Sequence, residues 1–280
     1  MIKSVEKVKN IIFVASGKGG VGKTTVATNL AVALSREGFK TGLFDADLYG
    51  PSVPLALGVT DQHPTAEKKG AKETMRPVEK YGIKIMSLGF LVKKENAAIW
   101  RGPMAANALT HMLENTEWGE LDYLVIDTPP GTGDICITLS QKLPQAKALI
   151  VITPQQMAIA DGIKAGNMYK AKGINIELLG VVENMAWFTP EKHPDEKYFL
   201  FGQGGGNQLA KELGCPVLAQ IPLVSDVCEL GDTGRTIFAS SSKIVVDAFE
   251  ELADKIEEAS KAATQKRYFY LPNQLEKSKQ

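Results

Sequence analysis

Residues 17–24 read Gly17-Lys18-Gly19-Gly20-Val21-Gly22-Lys23-Thr24, a glycine-rich octad between an apolar run at 10–15 (NIIFVA) and a stretch of helical period, Lys23–Arg36. It constrains the fold more than any other feature. It fits GxxxxGK[ST], in which glycines let successive backbone N–H groups converge on phosphate oxygens at a helix N-terminus. Chance would give about 0.02 matches per chain of this composition. A strand before and a helix after are the context the motif demands, which disfavours a plain glycine-rich turn. Val26, Leu30, Val32, Ala33 and Leu34 fall at helical spacing, and Gly38 offers a left-handed cap. Gly17, Lys18, Gly19, Gly20, Val21, Gly22, Lys23, Thr24 and Thr25 are therefore the expected nucleotide-binding residues. Lys23 would neutralise the β- and γ-phosphates, and the Thr24 hydroxyl would serve Mg²⁺, a hard cation that shares the phosphates.

Seven short β-rich runs, at 10–15, 41–45, 83–88, 123–127, 148–153, 178–183 and 216–221, alternate with helical segments. The alternation predicts an α/β fold: a doubly wound, mostly parallel sheet of about seven to eight strands with helices on both faces. Two polar stretches break the rhythm. Residues 61–80 are expected to form a surface loop or small hairpin, and 189–197 (TPEKHPDEK) a second loop. Val245, Val246, Phe249, Leu252, Ala253 and Ile256 form an apolar stripe with a mostly acidic opposite face, which suits packing on the sheet better than membrane binding. Past Ala262 the chain turns polar and is expected to fray. An ATPase domain over 1–260 and a polar tail over 261–280 are the expected organisation.

Composition excludes several classes. With 280 residues, 44% hydrophobic, the chain can bury a large core, and Lys+Arg 32 against Asp+Glu 32 lacks the positive surplus of a broad nucleic-acid surface. No apolar run reaches the roughly 18 residues that span a bilayer. Three widely spaced cysteines, Cys136, Cys215 and Cys228, and a charged start where a signal peptide needs an apolar stretch predict a reducing, cytoplasmic setting.

Two further constellations carry chemistry. Residues 123–127 (YLVID) form a strand ending in Asp127, followed by Thr128-Pro129-Pro130-Gly131-Thr132-Gly133-Asp134. Parallel strands deliver their carboxyl ends to one edge, so Asp127 is placed to hold a Mg²⁺-bound water beside the phosphate loop. The prolines stiffen the next segment while its glycines leave N–H groups free, as suits a γ-phosphate switch; a structural turn is the alternative. The second is Phe44-Asp45-Ala46-Asp47, whose carboxylates at i and i+2 point the same way in an extended chain. Asp47 is expected to orient or deprotonate the attacking water, and Asp45 to support Lys23 and the Mg²⁺ shell, with capping or turn roles as the alternative. The metal set is thus Thr24, Asp45 and Asp127.

The run SGKGGVGKTT, with its extra lysine at Lys18, resembles the deviant phosphate loop of the ATPases that include MinD, ParA and nitrogenase iron protein. DADLYGPSVP (45–54), IWRGPM (99–104), WGELDYLVIDTPPGTGD (118–134), GVVENM (180–185), FGQGGG (201–206) and IPL (221–223) are similar to the Mrp/ApbC-type iron-sulfur cluster carrier ATPases. The resemblance covers residues 8–258. It implies ATP hydrolysis with Lys18, Lys23 and Asp47 as the catalytic set, and a homodimer in which Lys18 reaches the partner's nucleotide. It also implies Asn184 reading the adenine edge, the segment after Pro222 packing on the base, a [4Fe-4S] cluster as cargo, and apoprotein clients and Fe-S assembly proteins as partners. That group often carries a small domain before the ATPase, for which a first strand at residue 10 leaves no room.

One element of the pattern is missing. The group usually places CxxC between its ENM and FG motifs, and here residues 186–198 contain no cysteine. Thiolates are the usual cluster ligands. Cys136 and Cys215 are expected to be inert core residues, and Cys228, in the polar loop SDVCELGDTG, the exposed thiol. His193 with Glu191 and Asp195 reads as a solvated charged loop rather than a metal site. The Fe-S ligands are therefore unassigned. A MinD/ParA-like positioning or scaffold switch is the alternative function; a metabolic ATP-dependent ligase is disfavoured by IWRGPM and ENM.

Overall fold

A computed structural model describes residues 2–69, 72–91, 100–190, 193 and 195–276. Strands β1 (Val8–Ala15), β2 (Thr41–Asp45), β3 (Thr65–Lys69), β4 (Lys72–Arg76), β5 (Val78–Lys80) and β6 (Ile83–Ser87) come before β7 (Leu121–Asp127), β8 (Lys147–Ile152), β9 (Glu177–Phe188) and β10 (Val217–Leu223). The helices are α1 (Lys23–Arg36), α2 (Val53–Ala56), α3 (Gly102–Asn115), α4 (Asp134–Lys142), α5 (Gln156–Lys170), α6 (Gly205–Leu213), α7 (Ser225–Asp232) and α8 (Lys243–Glu276).

Eight strands form one sheet in the order β10-β9-β8-β1-β7-β2-β6-β5, parallel except for β5, which runs antiparallel to β6 at the edge. Every residue of β2 and β8 is buried, because helices cover both faces of a parallel sheet and its strands read as continuous apolar runs. Gly42 leaves room for this packing: a Cβ there would lie 3.0 Å from the Trp118 ring, which is fully buried and meets Phe44 edge to face.

Register decides where the chemistry falls. Val14 pairs with Asp127, Asp127 with Asp45, and Asp45 with Ser87. Four neighbouring strands therefore end in one row, with side chains from adjacent strands about 4.8 Å apart.

The departures from expectation have local causes. Residues 61–80 contain the β3–β4 hairpin, outside the main sheet, plus the edge strand β5. β9 runs past its expected end at 183 to Phe188, where backbone bonds from Phe188 N to Tyr198 O (2.8 Å) and from Tyr198 N to Phe188 O (2.9 Å) close the 189–197 loop. α8 continues through the segment expected to fray after Ala262, where Ala, Gln, Lys and Arg favour helix. Its buried Val245, Phe249, Leu252, Ala253 and Ile256 join the core, as the stripe predicted. Among the described residues no helix is long and apolar enough to cross a membrane.

Candidate nucleotide site

The phosphate loop leaves β1 at the carboxyl edge and enters α1 at Lys23. Two glycines are required by contact. A Cβ on Gly17 would lie 2.0 Å from the Asp161 carbonyl oxygen of α5, and one on Gly22, whose φ is 78°, would lie 2.2 Å from the Asn184 amide nitrogen. Gly20 is also left-handed, at φ 82°, and Gly19 and Gly20 are exposed. Unpaired N–H groups and the helix dipole make the start of α1 attractive to an anion.

Lys23 is buried, with Nζ 2.5 Å from Asp127 Oδ1 and 3.8 Å from Asp47 Oδ2. The Thr24 hydroxyl donates to Asp127 Oδ2 at 2.7 Å. Burial, reinforced by the Asp127 charge, pushes the Asp47 carboxyl up, while Lys23 opposes the rise. Lys18 is half-buried and makes no ion pair among the described residues; its carbonyl accepts from the Ser16 hydroxyl at 2.9 Å.

Asp45 is placed differently from the expectation that it props Lys23. Its Oδ2 accepts from Ser87 Oγ (2.8 Å) and the Val53 N–H (3.4 Å), and its Oδ1 from the Asp47 N–H (3.1 Å). Asp45 thus anchors the 46–53 loop that carries Asp47, and Lys23 reaches it only through space. Burial and the neighbouring Asp127 push its carboxyl up to about 8. Ser87 had no motif to announce it; its one signal was a polar residue closing the apolar strand IKIMS.

These donors fit Mg²⁺. Thr24 and Asp127 offer hard oxygens, and three carboxyls, Asp45, Asp47 and Asp127, gather around a single ammonium. No group of three His, Cys, Asp or Glu side chains able to hold a metal occurs among the described residues. That suits an ion that keeps waters and shares substrate phosphates instead of sitting in a protein cage.

Beside Thr24 and Thr25 opens a cavity of about 330 Å³, walled by Asn184, Pro222, Val227 and Cys228. It is the right size and place for a nucleoside. Asn184 stands on its wall, but its Nδ2 donates to the Val21 carbonyl at 2.9 Å, so its amide also braces the loop. A second cavity, of about 530 Å³, lies between Asp47, Tyr49, Pro129, Pro130 and Asp134. Gly131 N donates to Ser16 O at 2.8 Å, linking the 128–133 segment to the phosphate loop.

Residues 7–257 match the family described as ParA: NUBPL iron-transfer P-loop NTPase. The chain belongs to this family of P-loop NTPases. It is 44% identical over 263 residues to an iron-sulfur cluster carrier protein of Synechocystis sp., covering 92% of this chain and 74% of that protein. It is 49% identical over 239 residues to an iron-sulfur cluster carrier protein of Aquifex aeolicus, covering 85% of this chain and 64% of the relative. Among solved structures, a nucleotide-binding protein from Archaeoglobus fulgidus in complex with ADP superposes with a TM-score of 0.72 at 34% identity, covering 88% of this chain and 94% of that one. Pyrococcus furiosus MinD, at 23% identity with a TM-score of 0.62 over 90% of this chain and 99% of its own, shares the fold.

In this member of the iron-transfer family the cysteines lie in separate parts of the chain. Cys136, in α4, is buried, and burial pushes its thiol up to about 11. Cys215, ahead of β10, is half-buried with its thiol also pushed up, so it is less enclosed than expected. Cys228 is exposed as expected, but on helix α7 rather than in a loop. His193 pairs with Glu196 at 3.4 Å. Glu191 and Ile99 lie outside the described residues.

Removing Lys23 leaves buried carboxylates without their cation. Lys23→Ala is expected to lose nucleotide binding in calorimetry, and to unfold about 3–5 kcal/mol more easily at neutral pH in denaturant. Asp45 supplies a pH test. Its carboxyl keeps its proton in the folded protein up to about 8, whereas the unfolded chain loses it near 3.8. The folded state binds the extra proton across that window, so Asp45's contribution to stability falls as pH rises through it, by up to about 1.4 kcal/mol per pH unit. Urea titrations without Mg²⁺ are expected to show this slope, flattened in Asp45→Asn.

Proposed function

We propose that the chain is an Mg-ATP-hydrolysing carrier of iron-sulfur clusters that works as a homodimer and delivers its cargo to apoprotein clients. The observation that carries the ATPase half is the convergence of Lys23, Thr24, Asp47 and Asp127 at one sheet edge, with Lys23 bridging two carboxylates. Lys23 moves its ammonium onto the β- and γ-phosphate oxygens. Thr24 and, through water, Asp127 would hold Mg²⁺, with Asp45 supporting that set, and the ion would supply neutralisation of the phosphate charge. Asp47 orients the attacking water and takes its proton on a carboxylate oxygen, as the new P–O bond forms and the bond to the ADP oxygen breaks. The raised Asp47 carboxyl is more basic than an ordinary aspartate, which favours this transfer. Lys18, with no partner in its own chain among the described residues, supplies a cation to the partner subunit's nucleotide.

The cargo half is supported by family membership and by the names of relatives at 44% and 49% identity. The side chains here do not supply a seat built from one chain's thiolate pair, since Cys136 lies in α4, Cys215 in the connection before β10 and Cys228 in α7. Cys228 is the exposed thiol, one per copy, so the remaining cluster ligands come from the client or a small thiol. The missing pair also favours a second reading, a MinD/ParA-like positioning switch without cargo. The acidic face of α8 and the even charge balance speak against membrane or nucleoid attachment for such a switch.

Asp47→Asn is expected to keep ATP binding and lose about 10²–10⁴-fold in turnover, read by phosphate release. Anaerobic reconstitution with iron, sulfide and a small thiol is expected to give bound iron, bound sulfide and visible absorption in the wild type, lost in Cys228→Ser. Wild-type protein that hydrolyses ATP but takes up no iron or sulfide would establish the switch instead.

A further inference from the structure

Two glycines outside the binding residues described above join the walls of the 330 Å³ cavity. Gly58, two residues past α2, has φ 61°, and Gly234, two residues past α7, has φ 68°. A Cβ on Gly234 would lie 2.3 Å from the Gly58 Cα and 2.6 Å from its nitrogen, so the two backbones meet at a distance that only glycine allows. Each is bonded to a wall of the cavity. Gly58 N donates to Leu55 O at 2.9 Å and Gly234 N to Gly231 O at 3.2 Å, and both Leu55 and Gly231 line it.

The turn between β5 and β6 binds both glycines. Lys80 Nζ donates to Gly58 O and the Tyr81 hydroxyl to Gly234 O, each at 2.9 Å. Lys80 pairs with Ile83 across the antiparallel ladder, which leaves Tyr81 and Gly82 as a two-residue turn with φ 51° and 75°. Both central positions of such a turn are left-handed, and asparagine, aspartate or glycine is the usual occupant of the first. A tyrosine there carries backbone strain that those residues would reduce. What it gains is a phenol long enough to bond Gly234, 153 residues away in the chain.

We propose that Gly58, Gly234, Lys80 and Tyr81 form a clasp that fixes the separation of α2 and α7 and so fits the cavity between them to a nucleoside. α2 gives the cavity Leu55 and Ala56, and α7 gives it Val227 and Gly231. Asp45 holds the start of α2 through the Val53 N–H, and the clasp holds its other end. A gap of about 0.5–1 Å forfeits a quarter to a half of a dispersion contact, so the spacing of these walls sets how much the nucleoside adds to affinity. The four clasp residues are positioning residues, since none of them lines the cavity. The inference rests on the nucleotide reading of this site, and its test separates the two.

Gly234→Ala forces the two backbones about 1 Å apart to restore an ordinary contact. In titration calorimetry it is expected to weaken ADP binding about 5- to 100-fold, the range for an overpacked contact. Binding of pyrophosphate with Mg²⁺, which engages the phosphate loop without a nucleoside, is expected to stay unchanged. Gly214→Ala is the matched control: φ there is 65° and a Cβ meets nothing within 4 Å, so it adds left-handed strain without a clash. It is expected to lower the melting temperature and keep ADP affinity. Tyr81→Phe removes only the bond to Gly234; it is expected to weaken ADP about 2- to 5-fold with pyrophosphate unchanged, and it decides the question if Gly234→Ala does not fold. Wild type that binds no ADP would remove the nucleotide reading and the clasp with it. Where the wild type binds ADP, a folded Gly234→Ala that keeps its ADP affinity, or that loses ADP and pyrophosphate alike, would overturn the clasp alone. An equal ADP loss in Gly214→Ala, or none in Tyr81→Phe, would do the same.

Discussion

Everything in the site depends on placing two buried carboxylates side by side. Asp45 and Asp127 occupy the same register on adjacent parallel strands, at the edge where β1 releases the phosphate loop. Like charges this close in a buried setting cannot both stay ionised without help. The protein relieves them with the Lys23 ammonium on Asp127, the Ser87 hydroxyl and two backbone N–H groups on Asp45, and a carboxyl pushed toward its neutral form. A buried ion pair of this kind is a weak source of stability. Its value is that Lys23 and Thr24 are held in place by bonds that phosphate oxygens and a hard cation can take over.

The same row carries two loops. On one side Asp45 binds the Asp47 and Val53 N–H groups, so the loop bearing Asp47 is fastened to the sheet. On the other, β7 runs directly from Asp127 into Thr128-Pro129-Pro130-Gly131, whose contacts run up to Ser16 and down to Cys136. Both segments hang from adjacent strand ends, so a change in charge at the phosphates reaches them over one or two residues. The 330 Å³ cavity opens beside Thr24 and Thr25 in α1's first turn, with Asn184 bracing the loop and walling the cavity at once.

The family's metal chemistry stands apart from this machinery. The interval between the ENM and FG motifs, closed by the Phe188–Tyr198 backbone pair, carries a His193–Glu196 ion pair and Lys197 over the Trp187 ring, without a thiol. Nucleotide handling and cargo handling are thus separable here. The phosphate loop and its carboxylates meet at one sheet edge, whereas the three cysteines lie apart from it and from one another.

Periodicity, the glycine octad and the two aspartate-terminated strands made the doubly wound sheet, the phosphate loop and the convergence of Lys23, Thr24 and Asp127 legible from the sequence, because strand alternation and motif spacing act over a few residues. The β3–β4 hairpin was half legible, as a polar interruption. Ser87 as Asp45's partner, the double duty of Asn184 and the close approach of α5 to Gly17 were not. Each depends on contacts between residues 42 to 163 apart in the chain, such as the approach of Gly17 to Asp161 of α5 or the Asn184–Val21 bond, and no local pattern encodes them. The sequence by itself determined which chemistry is present and that parallel strands bring it to one edge. Only the tertiary structure decided which carboxylate faces the lysine and which holds a loop, because register between strands, not spacing along them, sets which side chains become neighbours.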